Sequence, residues 1–76
     1  MVKPTRVTNA IRAHREEAGM TQADLARRIG VTRQTMNAIE QGKYSPTLEL
    51  AFQLARVFGV ALDALFQYPD TPEGQD

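Results

Sequence analysis

Thr32, Arg33, Gln34, Thr35 and Asn37 place hydroxyls, a guanidinium and two carboxamides within six consecutive positions. Side chains of these types read base edges in the DNA major groove. A guanidinium suits the O6 and N7 acceptors of guanine, and a carboxamide suits the N6/N7 pair of adenine. Each good bidentate contact of this sort is worth about 1–3 kcal/mol of discrimination. Such groups can read a groove only if one rigid element carries them on one exposed face.

The apolar residues around them say which element that is. Leu25, Ile29, Val31, Met36 and Ile39 cannot share one face of a single helix or strand. Two helices broken at Gly30 satisfy the pattern, with Val31 in the turn, Ala26 small where the helices approach, and Gly30 free to take the positive φ that ends the first. This is a helix-turn-helix over about 22–41 whose second helix carries the polar run. Thr21 caps the first of the pair, with Asp24 completing a box-like reciprocal, and Thr32 caps the second.

The rest of the chain supplies a scaffold. Residues 1–7 read as an extended arm. Thr8 or Asn9 is expected to cap a helix running to about Ala18, stopped by Gly19. After the loop at Lys43–Pro46, Thr47 caps a helix whose Leu50, Leu54, Val57 and Phe58 form an apolar stripe. Gly59 ends it, and Val60–Phe66 reads as a short fifth helix. Residues 69–76 have the composition of an acidic tail, which leaves 8–68 as the single domain. The expected fold is all-α, a compact five-helix bundle.

Composition excludes several functions. The chain has 76 residues, 42% of them apolar, and no cysteine, so neither disulfides nor thiolate metal sites hold it together. One histidine, His14, cannot make a zinc site alone and reads as a rim residue of the core. No nucleophile–base pair or glycine-rich phosphate loop points to an enzyme, and no cofactor or small-molecule ligand is expected. No stretch approaches the ~20 apolar residues of a membrane span, and the expected location is cytoplasmic. The net charge of zero conceals a split: residues 1–36 hold seven basic and three acidic side chains, and residues 37–76 hold two and six. The basic half, at +4, contains most of the helix-turn-helix.

Arg15-Glu16-Glu17-Ala18-Gly19-Met20-Thr21-Gln22, Leu25-Ala26, Gly30-Val31, Glu40-Gln41-Gly42 and Leu54-Ala55 with Phe58-Gly59-Val60 together resemble the phage repressor and Cro-type helix-turn-helix family, also called XRE, and most of all its short, stand-alone bacterial members. The resemblance runs from about Ile11 to Tyr68. It implies the lambda-repressor-like five-helix fold and sequence-specific binding to double-stranded DNA as a dimer on a two-fold operator, with repression the commoner outcome. It also implies base contacts by Thr32, Arg33, Gln34 and Asn37, and backbone contacts by Gln41, Lys43 and Tyr44. An inner ion pair, Arg15 with Glu40, would tie the first helix to the third. Where the family usually has leucine, this chain has His14.

On chemistry alone, the amide of Gln22 can reach a phosphate while touching the reading helix. Arg28 is a better phosphate candidate than Arg27, although a solvated face accounts for either. Phe52, Leu62, Leu65, Phe66 and Tyr68 exceed what one small bundle readily buries. They either complete the core or form a homodimer interface, and the second reading is taken here. An antitoxin or restriction-system controller of the same fold, with a toxin or other partner protein, is an alternative, as is an interaction module that has lost DNA binding.

Overall fold

Thr21, Thr32 and Thr47 each begin a helix by one device: the hydroxyl accepts the backbone N–H three residues on, from Asp24 (3.0 Å), Thr35 (3.0 Å) and Leu50 (3.2 Å). They open α2 (Gln22–Ile29), α3 (Arg33–Glu40) and α4 (Leu48–Phe58). Gly30 and Gly59, at φ of 79° and 67°, close α2 and α4 in the left-handed conformation that glycine adopts without cost. These elements belong to a computed structural model that describes residues 5–43 and 45–69. Most of the expected arm (1–4) and tail (70–76) lies outside the described residues, as does Tyr44.

At Thr21 the cap is reciprocal, since the Thr21 N–H donates to Asp24 Oδ2 at 3.0 Å. That N–H first, and the Thr21 side chain second, hold the Asp24 carboxyl below its usual range. The ionised form is thus favoured by folding. Its stabilisation is present above the unfolded carboxylate value of about 3.9 and is lost as pH falls through the lower folded value. Asp24→Asn should therefore melt below the parent at neutral pH, and the gap should close in acid. Thermal melts in steps from pH 7 to strongly acidic buffer check this; a gap independent of pH would refute it.

Between the caps, α1 (Ile11–Glu17) and α5 (Leu62–Leu65) complete five helices around a core of Ile11, Leu25, Met36, Ile39, Leu54 and Leu65, all fully buried. Ala26, Ala51 and Ala55 fill the close approaches, and Ile29, Val31, Leu50, Val57 and Phe58 pack against the cluster. Helix α1 starts later than expected. Its N-cap is Ala10, and Asn9 serves the end differently, its Oδ1 accepting the Ile11 N–H at 3.0 Å while its Nδ2 donates to Ile39 O at 2.9 Å.

The fifth helix is shorter than the apolar run suggested. Phe66 leaves it for a two-residue strand β2 (Phe66–Gln67), antiparallel to β1 (Thr8–Asn9), with Thr8 opposite Gln67 and Asn9 opposite Phe66. The Ala10 N–H donates to Leu65 O at 2.9 Å beside them. No helix among the described residues is long and apolar enough to cross a membrane.

Candidate nucleic-acid interface

Burial of Leu25 and Ala26 on α2, and of Met36 and Ile39 on α3, fixes the two helices against each other. The turn is held by the Val31 N–H on Ala26 O at 2.9 Å. With Met36 and Ile39 turned inward, α3 exposes Arg33 and Gln34 and leaves Thr35 and Asn37 half-buried. Among the described residues, neither Arg33 nor Gln34 has a hydrogen-bond or ion-pair partner. Arg33, Asn37 and Gln41 follow one another at intervals of four and so share one stripe. Thr32 stands at the same end, but its oxygen is engaged as the cap and its hydroxyl donates to Thr35 Oγ1 at 3.0 Å.

Behind this stripe lies a polar cleft of about 300 Å³ lined by Arg12, Arg15, Gln22, Asn37, Glu40 and Gln41. Glu40 accepts from Arg15 Nε at 2.6 Å and from Nη2 at 3.2 Å, and Nη1 donates to Met20 O at 2.9 Å. The pair is largely buried at the base of this cleft, with side-chain exposures of 11% for Arg15 and 4% for Glu40. The hydrogen bonds from Arg15 to Glu40 push the guanidinium further above its already high range. Gln22 Nε2 donates to both Glu40 Oε1 and Asn37 Oδ1, each at 3.1 Å, and Gln41 Nε2 donates to Asn37 Oδ1 at 3.3 Å. Both amide hydrogens of Gln22 are therefore engaged inside the protein. A phosphate contact by Gln22 would require it to release one of them, whereas Gln41 keeps one N–H to offer.

The other expected residues are scattered. Lys43 is exposed just past α3, its N–H anchored on Ala38 O at 3.0 Å. Arg28 shares a groove with Ile29, Gln53, Arg56 and Val57 and is not brought to the cleft. His14 is half-buried, its Nδ1 3.0 Å from Ala10 O and its ring 5.6 Å from that of Phe58.

The expected dimer surface needs one correction. Leu65 is fully buried in the core and cannot line an interface, because the fifth helix turns it inward beside Ala10. Leu62 and Phe66 are half-buried against the same core, whereas Phe52 and Tyr68 are 50% and 64% exposed. Leu48, at 66%, is a large exposed apolar residue that sequence reasoning missed. The signal was its place at the first helical position, off the Leu50–Leu54–Phe58 stripe. Val7, Leu62 and Phe66 floor an apolar groove that reaches Tyr68 on one side and Leu48 on the other.

Comparison with known proteins agrees with this fold. The helix-turn-helix family model matches residues 11–65. The chain is 48% identical over 62 residues to MJ0272 of Methanocaldococcus jannaschii, an uncharacterized HTH-type transcriptional regulator, covering 82% of this chain and 94% of that one. It is 59% identical over 49 residues to another such regulator, from Methanothermobacter thermautotrophicus (64% and 71% covered). It is 38% identical over 58 residues to the regulator YgzD of Bacillus subtilis (76% and 88%).

Among solved structures, a Bacteroides fragilis protein superposes with a TM-score of 0.73 at 23% identity, over 80% of this chain and 98% of its own. The hypothetical transcription factor NHTF from Neisseria superposes at 0.66 and 27%, over 86% and 70%.

Proposed function

The chain belongs to the XRE-type helix-turn-helix family of DNA-binding transcriptional regulators, and from that premise we propose that it acts as a homodimeric repressor on a two-fold-symmetric operator, without cofactor. The observation that carries the reading is the N-terminal half of α3, where Arg33 and Gln34 stand exposed and unpartnered among the described residues, in line with Asn37. In a groove these three would face base edges, with Thr32 contributing its methyl and, if released from the cap, its hydroxyl. Gln41 and Lys43 at the other end of the helix would hold phosphates and set register, and Arg28 would add a phosphate contact only at the flank.

Selection of binding sites from a random duplex pool tests this, followed by anisotropy titration of selected and scrambled duplexes at two salt concentrations. The expected result is a palindrome whose half-sites lie about one DNA turn, ~34 Å, apart. Equal affinity for every duplex would remove the proposal. Lys43→Ala should weaken binding to all sequences alike and lower the salt slope by roughly one unit per half-site.

For the homodimer, the support is the apolar groove floored by Val7, Leu62 and Phe66 and flanked by exposed Leu48 and Tyr68, together with exposed Phe52, one turn after Leu48 on α4. Phe52→Glu should convert a dimer to a monomer in sedimentation equilibrium, with little change in the melting of the isolated fold because Phe52 is half exposed. A variant that still sediments as a dimer would place the interface elsewhere.

A further inference from the structure

We propose that Asn37 meets DNA as a hydrogen-bond donor only, so that the base it faces is read through its acceptors, guanine O6 and N7 above all, and that Glu40 imposes this polarity through Gln22. The inference rests on the docking of α3 in the groove argued above, and it adds which atoms of Asn37 are offered there.

The argument is one of donor and acceptor parity. The Glu40 carboxylate, in an ion pair with Arg15 whose Nε lies at 2.6 Å, is the accepting partner. The Gln22 atom 3.1 Å from Glu40 Oε1 must then be the nitrogen, which fixes the orientation of that carboxamide. The same Nε2 lies 3.1 Å from Asn37, so Asn37 must present oxygen to it. Gln41 Nε2, at 3.3 Å, takes the second lone pair of that oxygen. A carbonyl oxygen has two, so Asn37 Oδ1 is full.

What remains is Nδ2. It has no partner among the described residues, and no unpartnered side-chain nitrogen or oxygen is buried there, so its two N–H groups meet solvent. They do so on the stripe of Arg33, one turn away. An asparagine free to turn would suit adenine through one donated and one accepted bond. Here the accepting half is occupied, which favours guanine, whose major-groove edge carries two acceptors. Gln22 and Glu40 are positioning residues in this scheme.

Functional-group deletion in the selected operator tests it on the unaltered protein. Asn37→Ala first locates the base pair whose preference depends on Asn37. Replacing guanine there by 7-deazaguanine should weaken the parent protein about tenfold and leave the Asn37→Ala protein unaffected. Gln22→Leu, checked for folding by its melt, frees a lone pair on Oδ1 and should shrink the preference for guanine over adenine at that pair alone.

The proposal is overturned if the parent selects adenine there and deleting its exocyclic amino group abolishes the difference between the parent and Asn37→Ala. Such a result means that Oδ1 accepts from the base. Unchanged site selection by Asn37→Ala overturns it at its premise, and an Arg33→Ala protein that keeps the parent's selection as well would show that the docking of α3 has failed with it.

Discussion

Glu40→Ala is expected to destabilise the fold by about 3–5 kcal/mol, because it strands the largely buried Arg15 guanidinium without its carboxylate. The carboxylate receives two bonds from Arg15 and one from Gln22. Truncation leaves Arg15 with the Met20 carbonyl as its remaining hydrogen-bond acceptor among the described residues. For a chain of 76 residues the whole stability is on the order of 4–11 kcal/mol, so the variant loses a large share of it. Urea denaturation of Glu40→Ala, and of the doubly apolar Arg15→Met/Glu40→Leu, checks this. The double variant should recover most of the loss, since removing both partners leaves no orphaned charge. A single variant within 1 kcal/mol of the parent would mean that water already reaches the pair.

Arg33→Ala is the second large effect, and it should fall on recognition alone. A lost guanidinium contact of about 1–3 kcal/mol lowers affinity for the selected operator by roughly 5–150-fold per half-site and erases preference at one base pair of each. Affinity for scrambled duplex should fall much less. Stability should not fall at all. Arg33 is the first residue of α3, where a cation opposes the helix dipole by about 0.3–1 kcal/mol, and it has no partner among the described residues to compensate. A charge that the fold itself disfavours is well explained by an anionic partner. Melting and anisotropy on the same preparation separate the two effects, and a variant that lost stability and affinity together would undo the assignment.

Reading the chain forward succeeded where the physics is local. The three threonine caps act over three residues, and the glycine stops need only a positive φ, so both are visible as spacing. The core stripe of α4 is visible for the same reason. The Arg15–Glu40 partnership was suggested by family likeness, since nothing in a separation of 25 residues announces contact.

Tertiary pairing hid the rest. Phe66 continues an apolar run and looks helical until Asn9 arrives as its strand partner. Leu65 was counted as surplus because composition gives an amount of apolar surface and not its direction. The orientation of the Gln22 and Asn37 carboxamides was invisible, since an amide is symmetric in shape and only its neighbours distinguish its ends.

The strand pair that joins Thr8–Asn9 to Phe66–Gln67 has a kinetic meaning. It bridges positions 59 apart, including the Thr8 hydroxyl on Gln67 O. Closing a loop of that length in an open chain costs roughly 3–4 kcal/mol of entropy, about as much as a few peptide hydrogen bonds return, which leaves no net gain. The helical hairpin of α2 and α3 meets no such toll, because its contacts are near neighbours in the chain. The strand pair therefore forms on a bundle that is already assembled, and it works as a latch. While it is open, Val7 and Phe66 are no longer held together to floor the apolar groove, so that groove exists only on a chain that has finished folding.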